Sequence, residues 1–320
     1  MDKYCFGVDI GGTTVKLGLF TAGGEIVDKW EIKTRTENQG EAVLPDIAEA
    51  LNAKLAEKKI GRDEVEGIGV GVPAPVDAEG VVQNTANLGW GYKEVKREME
   101  ELSGMRAEIG NDANVAALGE MWLGAGKGRK NIVMVTLGTG VGGGVIIGGK
   151  ILTGINGAAG EIGHIPMKDD EEFACGCGNK GCLEQYASAN GIVTTTKRYL
   201  DAHPEAETTL RDMEKITSKE IFDEAKKGDK VSILMVNEVG RMLGKALAAV
   251  ACVINPEAFV IGGGMSKAGD ILIDAIKKYY TKYAFHASRE TVFKMAELSN
   301  SAGIYGAVRL VLGECKRTIV

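Results

Sequence analysis

The sequence predicts an α/β protein made of two related lobes, each with a mixed sheet flanked by helices. The chain has 320 residues, which is long for one ordinary hydrophobic core. A strand–glycine turn–strand pattern also occurs twice, near residues 4–20 and near residues 131–147. No proline-rich linker separates the two halves, so we expect the lobes to pack together and to hinge.

The first lobe opens with alternating apolar residues. Residues 4–10 and 14–20 alternate on either side of Gly11-Gly12-Thr13, which predicts a β-hairpin. Residues 25–33 add a third strand, and apolar residues at helical spacing predict a helix over 40–59. Further elements are expected as strands at 65–72 and 106–109 and a helix at about 113–123.

The second lobe repeats the opening hairpin and then becomes mainly helical. Its turn is Gly138-Thr139-Gly140, between strands predicted at 131–136 and 142–147. The remaining predicted elements are helices at 185–200, 218–227, 231–254 and 269–283, a strand at 257–262, and a final helix at about 302–314 that could return to the first lobe. We therefore divide the chain into a small lobe of 1–116 plus 301–320 and a large lobe of 117–300.

Composition excludes several classes of protein. Apolar residues make up 44% and charged residues 26%, and the formal net charge is −6 without a basic stripe, which argues against nucleic-acid binding. The start, Met-Asp-Lys-Tyr, lacks the pattern of a signal peptide. The most apolar long stretch, 239–254, contains Arg241 and Lys245 and is too short to span a bilayer. We expect a cytoplasmic protein that does not bind membranes, with six cysteines that need not form disulfides.

Two glycine turns are candidates for phosphate binding. In Asp9-Ile-Gly-Gly-Thr-Thr-Val-Lys16, backbone N–H groups and Thr13 could meet a phosphate, and Asp9 could hold Mg²⁺ through water. The second turn, Leu137-Gly-Thr-Gly-Val-Gly-Gly-Gly144, matches G-x-G-x-x-G, but a strand rather than a helix follows, so we reject a dinucleotide site. Ordinary tight hairpins remain the alternative for both turns.

Two shorter motifs carry weaker signals. Gly262 and Gly263 end a predicted strand and could admit an adenine ring, although a close strand–helix packing turn is the better interpretation of these residues alone. Asn111 and Asp112 precede a helix, where such residues usually serve as N-caps. Asp112 could instead accept the proton of an attacking hydroxyl group.

A cysteine-rich insert gives the most specific signal. His164, Cys175, Cys177 and Cys182 form a Cys₃His set within 19 residues, which suits a tetrahedral zinc site with all four positions filled by protein. We therefore predict a structural zinc rather than a catalytic one. The metal would bring Glu161 and Glu184 together with the imidazole, and such a group suits recognition of sugar hydroxyls. The alternative is that both glutamates are solvated acids.

Together these motifs resemble the ROK family of bacterial sugar kinases, over essentially the whole chain. The resemblance rests on DIGGT at 9–13, on the stretch from Leu137 through Gly154 to Gly160-Glu-Ile-Gly-His164, and on CxCGxxGCxE at 175–184. It implies a two-lobed actin/hexokinase-like (ribonuclease H-like) fold, with a catalytic cleft between the lobes and the zinc loop in the second. Residues 72–77 and Asn87-Leu-Gly-Trp90 are most similar to the glucokinase branch.

The resemblance also implies roles for individual residues. ATP with Mg²⁺ would phosphorylate the 6-hydroxyl of glucose, with Asp112 as the general base. Sugar contacts would come from Asn87, Asn111, Asp112, Glu161, His164 and Glu184. The ATP site would comprise Asp9, Gly11, Gly12, Thr13, Lys16, Gly138, Thr139, Gly140, Gly262 and Gly263. A homodimer is implied as well.

Alternatives to a glucose kinase remain open. The substrate could be N-acetylmannosamine, fructose or mannose, and polyphosphate could be the donor. A non-catalytic repressor of the same family carries a DNA-binding module ahead of the sugar lobe. We disfavour it because the first phosphate motif starts at Asp9 and the chain is acidic.

Overall fold

The computed structural model describes residues 3–85 and 87–313, and these form ten strands, ten α-helices and several short 3-10 helices. The strands are β1 (Tyr4–Ile10), β2 (Thr14–Thr21), β3 (Ile26–Lys33), β4 (Val65–Val72), β5 (Ala107–Asn111), β6 (Ile132–Leu137), β7 (Val141–Ile147), β8 (Lys150–Ile151), β9 (Ala258–Gly262) and β10 (Val292–Met295). The helices are α1 (Glu37–Gly40), α2 (Val43–Lys58), α3 (Val95–Ser103), α4 (Asp112–Leu123), α5 (Glu184–Ala187), α6 (Ala189–Ala202), α7 (Ser218–Lys227), α8 (Lys230–Ile254), α9 (Asp270–Tyr283) and α10 (Ala302–Val311).

The first sheet has the strand order β3-β2-β1-β4-β5 and is mixed. β1 pairs with β2 in antiparallel fashion, and Ile10 lies opposite Val15 on either side of the glycine turn, so the predicted hairpin is confirmed. β1 also pairs with β4, and β4 with β5, in parallel fashion. The carboxyl ends of these three strands therefore lie at the same edge of the sheet, which is where ligands usually bind in open α/β sheets.

Helices cover both faces of the first sheet. On one face, Phe6 and Leu17 pack in a buried cluster with Leu44 and Ile47 of α2, and burying each such side chain contributes roughly 1.5–3 kcal/mol. On the other face, α10 approaches so closely that a Cβ on Gly69 would overlap the carbonyl of Ala307. Glycine is required at that position because any side chain would push α10 off the sheet.

The second sheet has the order β10-β9-β6-β7-β8. Written in reverse, this order is β8-β7-β6-β9-β10, and it corresponds strand for strand to the order of the first sheet. In each sheet the central strand, β1 or β6, has its hairpin partner on one side and a later strand of the chain on the other. β9 and β10 are parallel, and β7 and β8 are antiparallel. The predicted α/β class with two mixed sheets is therefore confirmed.

Several elements differ from the sequence-based prediction. The helix expected over 185–200 is two helices, because Ser188 caps α6 by accepting a hydrogen bond of 2.9 Å from the Gly191 N–H. The prediction did not include α1, α3, β8 or β10. β10 is short and has only Phe293 buried, so its apolar pattern is weak. The final helix ends at Val311, and the expected end at 314 lies outside the described residues, as do residues 1 and 2.

The described residues form two compact units. One takes its members from Met1–Met134, Gly144–Gly160 and Glu297–Val320, and the other from Val135–Gly143 and Glu161–Ala296. The first unit contains the whole first sheet with α2, α3, α4 and α10. The second contains the cysteine-rich insert, helices α5 to α9, and strands β9 and β10. The lobe boundaries at 116/117 and 300/301 stay a prediction.

Candidate active site

The first glycine turn joins β1 to β2 in the first unit. The Gly11 N–H donates to the Thr14 carbonyl at 3.0 Å, and the Thr34 hydroxyl donates to the Gly11 carbonyl at 2.7 Å. These bonds fix the turn from inside, while Gly12 and Thr13 are exposed. Backbone N–H groups of an exposed glycine turn can approach an anion closely because no Cβ intervenes.

Asp9 and Lys16 flank this turn and form a partly buried pair. Lys16 Nζ lies 3.8 Å from Asp9 Oδ2, and the side chains are 30% and 21% exposed. Burial raises the pKa of Asp9 above its ordinary value, and the nearby Lys16 charge opposes that shift. Burial therefore disfavours the Asp9 carboxylate, and a cation bound beside it would favour the charged form.

Asp112 lies close to Asp9 at the carboxyl edge of the first sheet. Gly71 of β4 is opposite Asp9 of β1 and opposite Gly110 of β5. A Cβ built on Gly71 would lie 3.7 Å from both Asp9 Oδ1 and the Asp112 Cα. The parallel strands thus bring the Asp9 carboxylate and the backbone of Asp112 to one small region, although the two residues are about a hundred positions apart in the sequence.

The start of α4 separates the roles of Asn111 and Asp112. Asn111 is the N-cap, since its side-chain oxygen accepts from the Asn114 N–H at 3.1 Å and its amide donates to the Ala74 carbonyl at 3.2 Å. Asp112 is the first helical residue, and its Oδ1 accepts from the Ala113 N–H at 2.7 Å. The capping function that the sequence offered for both residues is therefore performed by Asn111.

Asn87 also lies beside the first glycine turn. A Cβ on Gly12 would sit 3.3 Å from the Asn87 Cβ, and Asn87 is exposed. The loop carrying Asn87 is held by the buried Trp90, whose backbone N–H donates to the Thr85 hydroxyl at 2.9 Å and whose ring N–H donates to the Gly40 carbonyl at 3.1 Å.

Sequence reasoning missed a further segment that contacts Asp9 and Lys16. It comprises the residues just before α10 and the first turn of that helix. A Cβ on Gly303 would lie 2.5 Å from the Asp9 Cγ, and Lys16 Nζ donates to the Asn300 carbonyl at 3.2 Å. Only glycine at 303 leaves room for the Asp9 carboxylate. The sequence signal that could have revealed this close approach is the group of small residues Ser301, Ala302, Gly303, Gly306 and Ala307.

The second glycine turn belongs to the second unit. The Gly138 N–H donates to the Gly140 carbonyl at 3.0 Å, and Thr139 at the tip is exposed. Gly263, which follows β9, has a φ of 84°, and its Cβ would lie 2.5 Å from the Leu137 carbonyl oxygen. Close packing therefore accounts for Gly263, and a contact of Gly262 or Gly263 with adenosine stays a prediction.

The four predicted zinc ligands lie together in the second unit. One donor atom from each of His164, Cys175, Cys177 and Cys182 falls within 4.8 Å of all the others. The Cys177 and Cys182 sulfurs are 3.7 Å apart, and the His164 Nδ1 is 3.7 Å from the Cys175 sulfur. Three soft thiols and one imidazole at this spacing fit a structural zinc, and no other such group occurs among the described residues.

The chain around these ligands is built to hold them. The Cys175 N–H donates to the Asn179 carbonyl at 2.7 Å, and the Leu183 N–H donates to the Ile165 carbonyl at 2.9 Å. Glu171, between the ligands His164 and Cys175, accepts from the Tyr186 hydroxyl at 2.7 Å and from Arg198 at 3.0 Å. Burial alone would raise the pKa of Glu171, but these hydrogen bonds lower it to about 2.

His164 uses its two ring nitrogens in different directions. Nδ1 faces the thiols, whereas Nε2 lies 3.9 Å from Glu161 Oε2. Glu184 is near the same ring, with its Oε1 3.8 Å from Nδ1. The structure therefore brings Glu161, His164 and Glu184 together, as expected for a polar cluster that could meet sugar hydroxyls.

Among the described residues, no helix has the length and apolar character required to cross a bilayer.

Comparison with known proteins identifies the family. The ROK family model matches residues 5–314. A glucokinase of Halalkalibacterium halodurans is 42% identical over 315 residues, which cover 97% of this chain and 95% of that protein. The crystal structure of a ROK family glucokinase from Streptomyces griseus, in complex with glucose and AMPPNP, matches with a TM-score of 0.76 at 34% identity, covering 96% of this chain and 98% of that one. The ROK hexokinase of Thermus thermophilus matches with a TM-score of 0.80 at 30% identity, covering 96% and 97%. The resemblance inferred from the motifs is thereby confirmed, and the chain belongs to the ROK family.

Proposed function

We propose that this chain is an ATP-dependent kinase that phosphorylates the 6-hydroxyl of glucose. The glucokinases similar to it over nearly their full length support the substrate and the donor. Within the chain, the observation that carries the proposal is the approach of Asp112 to Asp9 at the carboxyl edge of the first sheet. One carboxylate can serve the nucleophile and the other the metal-bound phosphate.

Asp112 would act as the general base. It would accept the proton of the sugar 6-hydroxyl as that oxygen forms a bond to the γ-phosphorus, while the bond from that phosphorus to the ADP oxygen breaks. The products are the sugar 6-phosphate, ADP and one proton, which Asp112 passes on to solvent. Such a base typically contributes about 10²–10⁴-fold to the rate.

The glycine turns would bind the triphosphate. Their backbone N–H groups and Lys16 would neutralise its charge, and Asp9 would hold Mg²⁺ through water. Mg²⁺, when bound, supplies positive charge that stabilises the transferring phosphoryl group. The proposed nucleotide-binding residues are Asp9, Gly11, Gly12, Thr13, Lys16, Gly138, Thr139, Gly140, Gly262 and Gly263.

The sugar would be bound by side chains with complementary hydrogen-bonding capacity. With Nδ1 bound to the metal, His164 would keep its proton on Nε2 and donate, while the carboxylates of Glu161 and Glu184 would accept. Asn87 and Asn111 would complete the set, and Asp112 would contact the reacting hydroxyl. His164, Cys175, Cys177 and Cys182 would hold the structural zinc, and this coordination would fix the orientation of the His164 ring.

Replacement of Asp112 by Asn tests the proposal. We expect turnover to fall by about 10²–10⁴-fold, measured as ADP release in a coupled assay, while the glucose affinity measured by calorimetry stays within a few-fold. Asp270→Asn is a matched control because Asp270 is likewise the first residue of a helix, α9, and is exposed. Near-normal turnover of Asp112→Asn would remove Asp112 from the mechanism.

The same assay defines the substrate. A panel of glucose, mannose, fructose and N-acetylmannosamine, with ATP or polyphosphate as donor, should give the highest kcat/KM for glucose and ATP. A higher value for another sugar would assign the chain to that sugar while leaving the kinase chemistry in place.

We further propose that the protein is a cytoplasmic homodimer, with functional lobes of 1–116 plus 301–320 and of 117–300. Light scattering after size-exclusion chromatography measures the mass, and a monomer mass would contradict the dimer. Cell fractionation tests the location. Limited proteolysis tests the lobe boundaries.

A further inference from the structure

The second glycine turn, Gly138-Thr139-Gly140 with Val141, is held by the chain segments that carry the zinc ligands. The Ala189 N–H at the start of α6 donates to the Gly138 carbonyl at 2.8 Å. Ala189 is seven residues after the ligand Cys182, across the single turn of α5. The backbone of the turn is therefore fixed at its first residue by the segment that directly follows the ligand-bearing residues 164–182.

Glu184 makes the second connection, and its two carboxylate oxygens face different partners. Oε1 lies 2.9 Å from the Cys175 sulfur and 3.8 Å from the His164 Nδ1. Oε2 lies 3.4 Å from the Val141 backbone nitrogen, and a Cβ on Gly140 would lie 2.5 Å from it. One side chain is thus in contact with both the ligand cluster and the glycine turn.

The third connection is on the other side of the cluster. Gly163 immediately precedes the ligand His164, and a Cβ at this position would overlap the Val141 carbonyl oxygen. The backbones of the two segments are therefore in direct contact, and neither can shift without displacing the other.

We propose that zinc retention and the conformation of the 138–141 turn are coupled. Zinc fixes His164, Cys175 and Cys182, and through Gly163, Glu184 and Ala189 it fixes the turn. Coupling between two sites is reciprocal in binding free energy, so a ligand that orders the turn must raise the affinity for zinc, and loss of zinc must lower the affinity for that ligand. Because affinity differences within one interface appear mainly in the dissociation rate, we expect the tighter zinc binding as slower zinc release. That the ligand is a nucleoside triphosphate rests on the function proposed above, whereas the coupling itself rests on these contacts.

Two substitutions in the turn test the coupling without any nucleotide. Neither Gly138 nor Gly140 has a positive φ, so alanine suits the backbone at both positions. A Cβ on Gly138 meets nothing within 4 Å, whereas a Cβ on Gly140 displaces the Glu184 carboxylate. We expect Gly140→Ala to release zinc to a chromogenic chelator at least about fivefold faster than wild type, and Gly138→Ala to match wild type. Equal rates for all three proteins would overturn the proposal.

A double-mutant cycle identifies the side chain that carries the effect. Glu184→Ala removes the carboxylate with which a methyl group added at position 140 collides. Gly140→Ala should therefore change the zinc release rate much less in the Glu184→Ala background than in wild type. Fully additive effects in a folded double variant would contradict the assigned role of Glu184.

The wild-type protein provides a test that does not depend on the folding of any variant. Mg-AMPPNP, with its binding confirmed by calorimetry, should slow zinc release by at least about fivefold. Bound AMPPNP with an unchanged release rate would overturn the coupling. Failure of AMPPNP to bind the zinc-loaded protein would instead count against the proposed function, and the comparison of Gly140→Ala with Gly138→Ala would then decide the coupling alone.

Discussion

Glu120 is a fully buried carboxylate that fixes the chain leading into α10, and its replacement by Gln should strongly destabilise the protein. Glu120 is 0% exposed. Its Oε2 accepts from the Ala125 N–H at 2.9 Å and from the Glu297 N–H at 3.1 Å, and its Oε1 accepts from the Leu298 N–H at 2.8 Å. All three donors are backbone groups, which cannot turn away when the acceptor is changed.

The expected cost follows from the number of donors. In its better orientation the Gln carbonyl keeps the two bonds made by Oε2, and its NH₂ group then faces the Leu298 N–H. A buried donor left unpaired costs about 1–3 kcal/mol, and the two retained bonds lose the benefit of a charged acceptor. We therefore expect Glu120→Gln to lower the free energy of unfolding by about 2–5 kcal/mol.

Urea denaturation followed by tryptophan fluorescence measures this loss, at saturating zinc so that metal content does not differ between samples. Glu94→Gln is the control, since Glu94 pairs with Arg97 on the protein surface and exposed ion pairs contribute about 0–1 kcal/mol. The segment fixed by Glu120 continues to Asn300 and Gly303, which contact Lys16 and Asp9, so the affinity for Mg-AMPPNP should fall as well. A stability loss below about 1 kcal/mol would refute the bonding scheme.

Two further predictions concern the zinc loop. Cys182→Ser should reduce the zinc content from one per chain to near zero, measured by elemental analysis of freshly purified protein, whereas Cys252→Ser, at an exposed cysteine of α8 outside the ligand cluster, should keep its metal. Because hydrogen bonds from Arg198 and Tyr186 hold the pKa of Glu171 at about 2, its contribution to stability is present above its unfolded pKa near 4.3 and is lost as the pH falls toward 2. Glu171→Gln should therefore show a smaller drop in urea midpoint between pH 5 and pH 3 than wild type does, and equal drops would contradict this assignment.

Local sequence patterns predicted the elements and the zinc cluster because both depend on residues that are close in the chain. The hairpin at Gly11-Gly12 follows from alternation, and the Cys₃His set falls within 19 residues. The spacing could not show that Asp9 and Asp112 lie near each other, because parallel pairing through β4 brings them together. It also could not decide between Asn111 and Asp112 as the N-cap, which depends on the exact start of α4.

The supporting residues were missed for a related reason. Glu120 stands in the apolar run Ala-Leu-Gly-Glu-Met-Trp-Leu, and a lone acid in such a run is a signal of a buried polar partner. Its partners are the backbone N–H groups at 297 and 298, and every residue except proline has such a group, so no residue type in the sequence marks them. Likewise, the requirement for glycine at position 303 can be explained only once α10 is known to pack beside Asp9.

The orientation of His164 determines which groups donate and which accept hydrogen bonds in the proposed sugar site. A neutral imidazole has one donor and one acceptor, and committing Nδ1 to the metal leaves Nε2 as the donor. Glu161, 3.9 Å from Nε2, is an acceptor when ionised. A hydroxyl between them can accept from His164 and donate to Glu161 at once, whereas a carbonyl or ether oxygen could only accept. With zinc bound at Nδ1, His164 and Glu161 would thus favour a ligand that carries a free hydroxyl at this point.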